Sequence, residues 1–260
     1  MSILLATGLM ALAELQSCRE NYGTPYNGYG AVPETWRASN LAPMRYRVLV
    51  PWLLGGKTSR VAVVAYTLIK AILLGAVLWT SQRVLGNWVW LALIIMATWQ
   101  FDYWEQYAEL FGILGMLSGE PWLIIVSAVV WGLSKETAWA LIPMALVTGY
   151  WGALSGVAVL ILVRLVQGKA PLYCERWTFW TRNWTDLKAM QERGDPYPLV
   201  AIVWSLAALA SLLWGDQMSV VLQRTAWMVP VYLVTAWTMA RPREIRILLP
   251  TAIWMIGAWG

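Results

Sequence analysis

The sequence contains no histidine, only two cysteines and only three phenylalanines in 260 residues. Without histidine, the chain lacks the commonest general base and the commonest metal ligand. Cys18 and Cys174 are too few for a zinc site or a disulfide framework. At most they could form one bridge, which would require both to lie in an oxidising compartment.

Charged residues are also scarce. Asp, Glu, Lys and Arg make up 13% of the chain, about half of the usual share. A soluble domain of this length needs a larger polar surface. The net charge is +5, but no dense basic face exists outside the apolar segments, and this excludes nucleic acid as a partner.

Apolar residues are abundant. They make up 59% of the chain and give a mean hydropathy of +0.55. Many of the 20 tryptophans follow apolar runs, as is typical of side chains at the level of the lipid headgroups. The composition predicts an all-α, multi-pass protein of the cell membrane, because helices satisfy their own backbone hydrogen bonds in lipid.

The apolar runs predict a polytopic transmembrane helical bundle of roughly nine to ten membrane segments, forming one domain over residues 1–260. The longest runs are Val61–Thr80, Pro198–Trp214 and Val220–Ala240. The shorter runs are expected to be tilted, buried in the bundle or re-entrant. They are Ile3–Leu15, Trp88–Thr98, Tyr107–Leu117, Trp122–Leu133, Ala138–Tyr150, Gly152–Val166 and Ile247–Trp259.

Two stretches are too polar to lie in lipid, residues 17–47 and residues 167–197. The first is rich in Gly, Pro, Asn and Tyr, which is typical of an ordered loop with turns. The second is expected to contain a short amphipathic helix lying on the membrane. Both loops are predicted to lie on one side of the membrane, and the positive-inside rule favours the cytoplasmic side.

A stripe of acidic residues occurs in QFDYWEQYAEL, where helical spacing puts Asp102, Glu105 and Glu109 on one face. Carboxylates beside a hydrophobic helix must face water, a cavity or cations. A solvated helix start, where the helix dipole favours acids, is the alternative explanation for Asp102 and Glu105. Glu109 lies two turns into the helix, so this alternative does not explain it.

Two lysines stand out because of their apolar surroundings. Lys70 lies in the middle of Val61–Thr80 and needs an acidic partner, with Glu109 or Glu14 the nearest in kind. Lys135 follows Ser134, a possible cap of the next helix. A cation at a helix start is disfavoured unless an anion binds nearby. The alternative for Lys135 is a snorkelling side chain at the membrane interface.

Arginines flank two apolar segments. Arg45 and Arg47 precede an apolar stretch, and Arg246 lies in RPREIRILLP. The planar guanidinium group suits phosphate recognition. Anchoring to anionic lipid headgroups is the alternative for each of them.

These segments, in this order, resemble the GT-C superfamily of membrane glycosyltransferases, and in particular its lipid-linked-sugar enzymes, such as aminoarabinose transferases and relatives of protein mannosyltransferases. Arg47–Leu54 is similar to the family's short basic helix, which contains Pro-Trp-Leu. Asp102 is similar to the carboxylate after the third span, and Leu133–Pro143 to an element with a Lys-Glu pair and a late proline. The resemblance covers residues 1–165 and the last segment.

The resemblance implies transfer of a sugar from a polyprenyl-phosphate carrier to a lipid or glycan acceptor, at the outer face of the membrane. That side is opposite to the one favoured by the positive-inside rule. The implied catalytic carboxylates are Glu20, Asp102 and Glu105. The implied substrate-binding residues are Arg45, Arg47, Lys135, Glu136 and Arg246.

The implied partners are the polyprenyl-phosphate sugar and membrane lipids. Carboxylates suit Mg²⁺ or Mn²⁺, but nothing in the sequence requires a metal or another cofactor. Two other functions stay open: a catalytically silent scaffold or lipid-binding protein on the same fold, and a small transporter that couples ions through Lys70 and the acidic stripe.

Overall fold

The computed structural model describes residues 2–9, 11–12, 49, 53, 60–97, 104–168, 185, 187–194, 196–239 and 245–259. Within these ranges the regular structure is all helical, as the sequence predicts, and contains no strand. The α-helices are α1 (Arg60–Leu85), α2 (Val89–Ala97), α3 (Trp104–Leu117), α4 (Pro121–Ser134), α5 (Leu141–Thr148), α6 (Leu154–Gln167), α7 (Tyr197–Ser211), α8 (Val220–Thr225), α9 (Met228–Met239) and α10 (Ala252–Trp259).

Short 3₁₀ helices adjoin several of these α-helices. They are Glu136–Ala140 before α5, Trp151–Ala153 before α6, Leu212–Gln217 after α7 and Ile245–Thr251 before α10. Residues 3–9 and 187–192 are also helical. In the latter stretch Met190 is buried while Lys188 and Glu192 are exposed, so the short helix is amphipathic as expected, and its position on the membrane stays a prediction.

The connection between α3 and α4 shows how local sequence sets the helix ends. Gly119 has a φ of 71°, a left-handed conformation that favours glycine. The Ser118 hydroxyl donates to the carbonyl oxygen of Gly115 and accepts from the backbone N–H of Glu120. Pro121 then opens α4, where its missing N–H costs no hydrogen bond.

The chain divides into two compact units. The first comprises Met1–Thr80, Phe101–Leu146 and Tyr150–Tyr173, and the second comprises Ser81–Gln100, Val147–Gly149 and Cys174–Gly260. In the first unit, α3 is buried along its whole length and packs against α4, which in turn packs against α6.

Small residues bring the helices of the first unit close together. A Cβ atom added to Gly112 or Gly115 of α3 would collide with the side chains of Trp131 or Ser127 of α4. On α4 itself, a Cβ atom added to Gly132 would collide with the backbone of α6. Contacts through small residues are characteristic of helices that associate in membranes.

In the second unit, α10 packs against α7 and α2, and α7 packs against α9. Three indole groups donate to hydroxyl oxygens of neighbouring helical segments: Trp204 to Thr251 at 2.9 Å, Trp237 to Ser205 at 3.0 Å and Trp254 to Thr225 at 3.3 Å. Each accepting hydroxyl also donates to a carbonyl oxygen of its own helix. These three hydrogen bonds satisfy indole groups between helices of the second unit.

Within the described part of the chain, two helical segments are long and apolar enough to cross a membrane, Val64–Leu85 and Pro198–Gln217. Only 17% of the apolar 18-residue stretch within Pro198–Gln217 is buried. Its outward side chains include Leu199, Leu206 and Leu213, with 64%, 61% and 81% exposure. A core helix of a soluble protein buries its apolar side chains, so this exposure favours contact with lipid.

The prediction of one continuous span over Val220–Ala240 is wrong, because the structure divides this run into α8 and α9 at Ala226 and Trp227. Pro230 has no N–H with which to donate to the carbonyl oxygen of Ala226. That oxygen instead accepts from the N–H of Val229 at 3.0 Å. The tighter turn ends one helix and starts the next.

Candidate functional site

A buried polar cluster lies in the first unit, between α3 and the end of α4. Glu105, Gln106 and Glu109 on α3 have 2%, 6% and 1% exposure, and Lys135, which directly follows α4, has 8%. Charged side chains are rarely so buried unless they are paired. The cluster is therefore the strongest candidate for a functional site among the residues that the structure describes.

An ion pair forms the centre of the cluster. The Lys135 Nζ lies 2.5 Å from the Oε2 of Glu109, although 26 residues separate them in the chain. The side-chain amide of Gln106 contacts both the Lys135 ammonium and the Glu109 carboxylate when its oxygen faces the lysine. In that orientation, Nζ donates to the amide oxygen at 2.9 Å and the amide nitrogen donates to Glu109 Oε2 at 3.3 Å.

The other carboxylate oxygen of Glu109 is also hydrogen-bonded. The Thr137 Oγ1 donates to Glu109 Oε1 at 2.8 Å. The same hydroxyl accepts from the indole Nε1 of Trp131 at 3.0 Å. Both oxygens of Glu109 therefore face donors supplied by this protein.

The backbone after α4 explains why Lys135 and Thr137 reach the same carboxylate. Lys135 has an extended conformation, with φ −154° and ψ 139°, and its N–H donates to the carbonyl oxygen of Trp131. A 3₁₀ helix starts at the next residue, and the N–H of Ala138 donates to the carbonyl oxygen of Lys135. One extended residue between two helical segments thus sets the position of the lysine.

The predicted capping role of Ser134 is wrong. Ser134 is the last residue of α4, and its hydroxyl donates to the carbonyl oxygen of Val130, one turn earlier. Lys135 is the C-cap of that helix rather than a residue of the next helix start. The helix dipole favours a cation at this end, so the position of Lys135 needs no bound anion to explain it.

Glu105 lies in the first turn of α3, where the dipole favours an acid. It precedes Glu109 by four residues, so both lie on one face of the helix. Both of these acids are buried, whereas the third acid of the stripe, Asp102, lies outside the described residues. The alternative explanation of Glu105 as a solvent-exposed acid at a helix start is therefore wrong.

Several predicted site residues lie outside the described residues: Glu20, Arg45, Arg47 and Asp102. Only the backbone is described for Glu136, which starts the 3₁₀ helix after Lys135, and for Arg246, which lies in Ile245–Thr251. Cys18, Cys174 and most of the two polar loops also lie outside.

Sequence reasoning left Glu109, Gln106 and Thr137 out of the predicted site. Glu109 was detectable, because it continues the acidic stripe, but its partnership with Lys135 depends on how α3 packs against α4. Gln106 and Thr137 are common residue types with no distinctive spacing. Their roles follow only from the contacts of Glu109.

Lys70 is 1% exposed, which confirms that its side chain points into the protein. Its Nζ lies 5.3 Å from the ring centroid of Tyr66, one turn earlier on α1, a cation–π distance. The expected carboxylate partner of Lys70 stays a prediction.

No group of three or more acidic or cysteine side chains suited to a metal ion occurs among the described residues. No protein-family model, curated protein or solved structure matches this chain. The GT-C resemblance therefore depends on the sequence motifs alone.

Proposed function

We propose that this protein is a GT-C-type membrane glycosyltransferase that transfers a sugar from a polyprenyl-phosphate carrier to a lipid or glycan acceptor. The contact between Lys135 and Glu109 carries the proposal. It joins the Lys-Glu element of residues 133–143 to the helix that starts two residues after Asp102. One of the three elements that carry the resemblance thus contributes a lysine to the buried polar cluster, and this contact supports the proposal.

The proposal includes a polytopic bundle of roughly nine to ten membrane segments. The long apolar segments Val64–Leu85 and Pro198–Gln217 support it, as do shorter apolar helices such as Pro121–Ser134. Glycine contacts between α3, α4 and α6 also support it, because small residues let helices associate where lipid surrounds them.

The proposed reaction is attack of an acceptor hydroxyl oxygen on the anomeric carbon. A carboxylate, Asp102 or Glu20, takes the hydroxyl proton, while Glu105 adds negative charge beside the sugar. The bond between the anomeric carbon and the phosphate oxygen breaks, and the polyprenyl phosphate leaves. Lys135 and the arginines Arg45, Arg47 and Arg246 stabilise the negative charge of that phosphate.

The test is transfer of labelled sugar from polyprenyl phosphate by the full chain in reconstituted vesicles. Asp102→Asn and Glu20→Gln each keep the size of the side chain and remove its basicity. We expect loss of the general base to lower the rate by about 10²–10⁴-fold. Glu120→Gln is the matched control, because Glu120 precedes α4 at the end opposite Lys135.

The outcomes separate the alternatives. If the wild type transfers no sugar from any common carrier, the catalytically silent scaffold becomes the better explanation. If all acid variants, including Glu105→Gln, keep full activity, the catalytic carboxylates have been misassigned.

A small ion-coupled transporter is the second candidate. The burial of Lys70 and of the Glu109–Lys135 pair among apolar helices favours it, since ionisable groups inside membranes often line ion pathways. Proton flux into the same vesicles tests this function. A flux that disappears in Lys70→Met would favour the transporter, and its absence in the wild type would reject it.

A further inference from the structure

Lys135 has one hydrogen-bond donor for which none of the described residues is an acceptor. An ammonium group has three N–H donors. Glu109 accepts from one of them and Gln106 from another. No other residue within the described ranges accepts from Lys135, and its side chain keeps 10% exposure. The lysine can therefore donate to one further acceptor without losing its protein partners.

Glu109 has the opposite character, because its carboxylate is occupied on both oxygens. Thr137 donates to Oε1, and Lys135 and Gln106 donate to Oε2. An acid that removes a proton from an acceptor hydroxyl needs an oxygen directed at that hydroxyl. The contacts of Glu109 make it a poor candidate for proton transfer and a good one for fixing the position of Lys135.

We propose that Glu109 and Gln106 are positioning residues that hold Lys135 so that its third N–H meets one anionic oxygen of a lipid-linked phosphate. This inference rests on the proposed function. Glu109 offsets the cost of burying the ammonium when no ligand is bound. The donor is then already in place when the phosphate arrives, and the hydrogen bond between the two charged groups is a strong one.

The inference predicts selectivity for the phosphate group over an uncharged headgroup. Polyprenyl phosphate and the polyprenol of the same length share the apolar chain and differ only in the anionic group. One charge-assisted hydrogen bond corresponds to an affinity difference of about 10- to 100-fold. A purely structural role of Lys135 would change the binding of both lipids alike.

The experiment measures binding of both lipids to the full-length protein in nanodiscs. Lys135→Met keeps the length of the side chain and removes its charge, so we expect the preference for phosphate, about 10- to 100-fold, to disappear while polyprenol binding is unchanged. Lys135→Arg restores the charge and is expected to recover part of the preference. Glu120→Gln removes a charge at the far end of α4 and is expected to behave as the wild type.

Glu109→Gln tests the positioning role. It removes the charge that neutralises the lysine, and an unneutralised ammonium in an apolar site loses its proton or leaves that site. We expect the preference for phosphate to fall about tenfold, and Glu109→Asp to restore part of it. Stronger phosphate binding by Glu109→Gln would mean that Glu109 competes with the phosphate, which would overturn the inference.

The remaining outcomes distinguish this inference from the proposed function. Wild-type protein that prefers polyprenyl phosphate but transfers no sugar rejects the transferase and leaves the binding role of Lys135 in place. Equal binding of the two lipids by the wild type, or a full preference in Lys135→Met, overturns the inference whatever the transfer assay shows.

Thermal unfolding of each variant identifies any that do not fold. If Glu109→Gln is one of them, Lys135→Arg against Lys135→Met carries the test.

Discussion

Gly132 of α4 and Gly156 of α6 meet with their backbones in direct contact. A Cβ atom on Gly132 would overlap the carbonyl oxygen of Gly156, and one on Gly156 would overlap the carbonyl oxygen of Ala128. Neither carbonyl belongs to a flexible side chain that could move aside. The contact holds α4 against α6, and Lys135, the residue that directly follows α4, pairs with Glu109.

Gly132→Ala is therefore expected to destabilise the protein, although alanine is the better helix former by about 1 kcal/mol. Overpacking of a tight contact costs about 1–3 kcal/mol. Gly8→Ala is the control, because a Cβ atom at Gly8 meets nothing within 4 Å, and it should be neutral or slightly stabilising. Unfolding by denaturant in detergent micelles measures both changes. Wild-type stability of Gly132→Ala would show that α4 and α6 are not in close contact.

The pair of Glu109 and Lys135 is expected to show strong energetic coupling. Removing one partner leaves a buried charge uncompensated, so Lys135→Met and Glu109→Gln should each destabilise the protein by about 3–5 kcal/mol. The double variant should be much less destabilised than the sum of the single changes. A double-mutant cycle measured by unfolding tests this, and additive effects would contradict the pairing.

The third prediction is that the hydrogen bond from Trp204 to Thr251 stabilises the protein. Thr251→Val keeps the shape of the side chain but removes the oxygen that accepts from the Trp204 indole. An unpaired polar group in this interior costs about 1–3 kcal/mol. Thr238→Val is the matched control, since the Thr238 hydroxyl donates to Val234 of its own helix and accepts from no indole of the described residues. Equal losses of stability in the two variants would show that the hydrogen bond from the Trp204 indole does not stabilise the protein.

Much of the helical fold could be predicted because apolar runs dominate this sequence. The run Trp122–Leu133 corresponds to α4, Pro121–Ser134, and the run Gly152–Val166 corresponds to α6 with its preceding 3₁₀ turn. The break within Val220–Ala240 was missed, because the run is apolar on both sides of Pro230. One proline inside an apolar stretch can bend a helix or divide it, and composition alone does not distinguish these outcomes.

The candidate site could be predicted only in part. The spacing of Glu105 and Glu109 is sufficient to place both acids on one face of a helix. The local sequence around Ser134 was misleading, because serine before a helical run is the usual pattern of an N-cap. The choice of Glu109 as the partner of Lys135 is non-local. It depends on the closeness of α3 and α4, which the glycines Gly112 and Gly115 permit.

The last prediction concerns the environment of Pro198–Gln217, where Leu206 lies near the middle and is 61% exposed. On the surface of a soluble protein, Leu206→Arg would change the stability by less than about 0.5 kcal/mol. At the centre of a membrane span, arginine costs about 2.5–3.5 kcal/mol in insertion. We expect the larger cost, measured as the inserted fraction of this segment in a glycosylation-based insertion assay. Leu213→Arg should cost less, because an arginine near the end of a span can extend its charge to the headgroups. Equal and negligible costs at both positions would show that this helix does not cross the membrane.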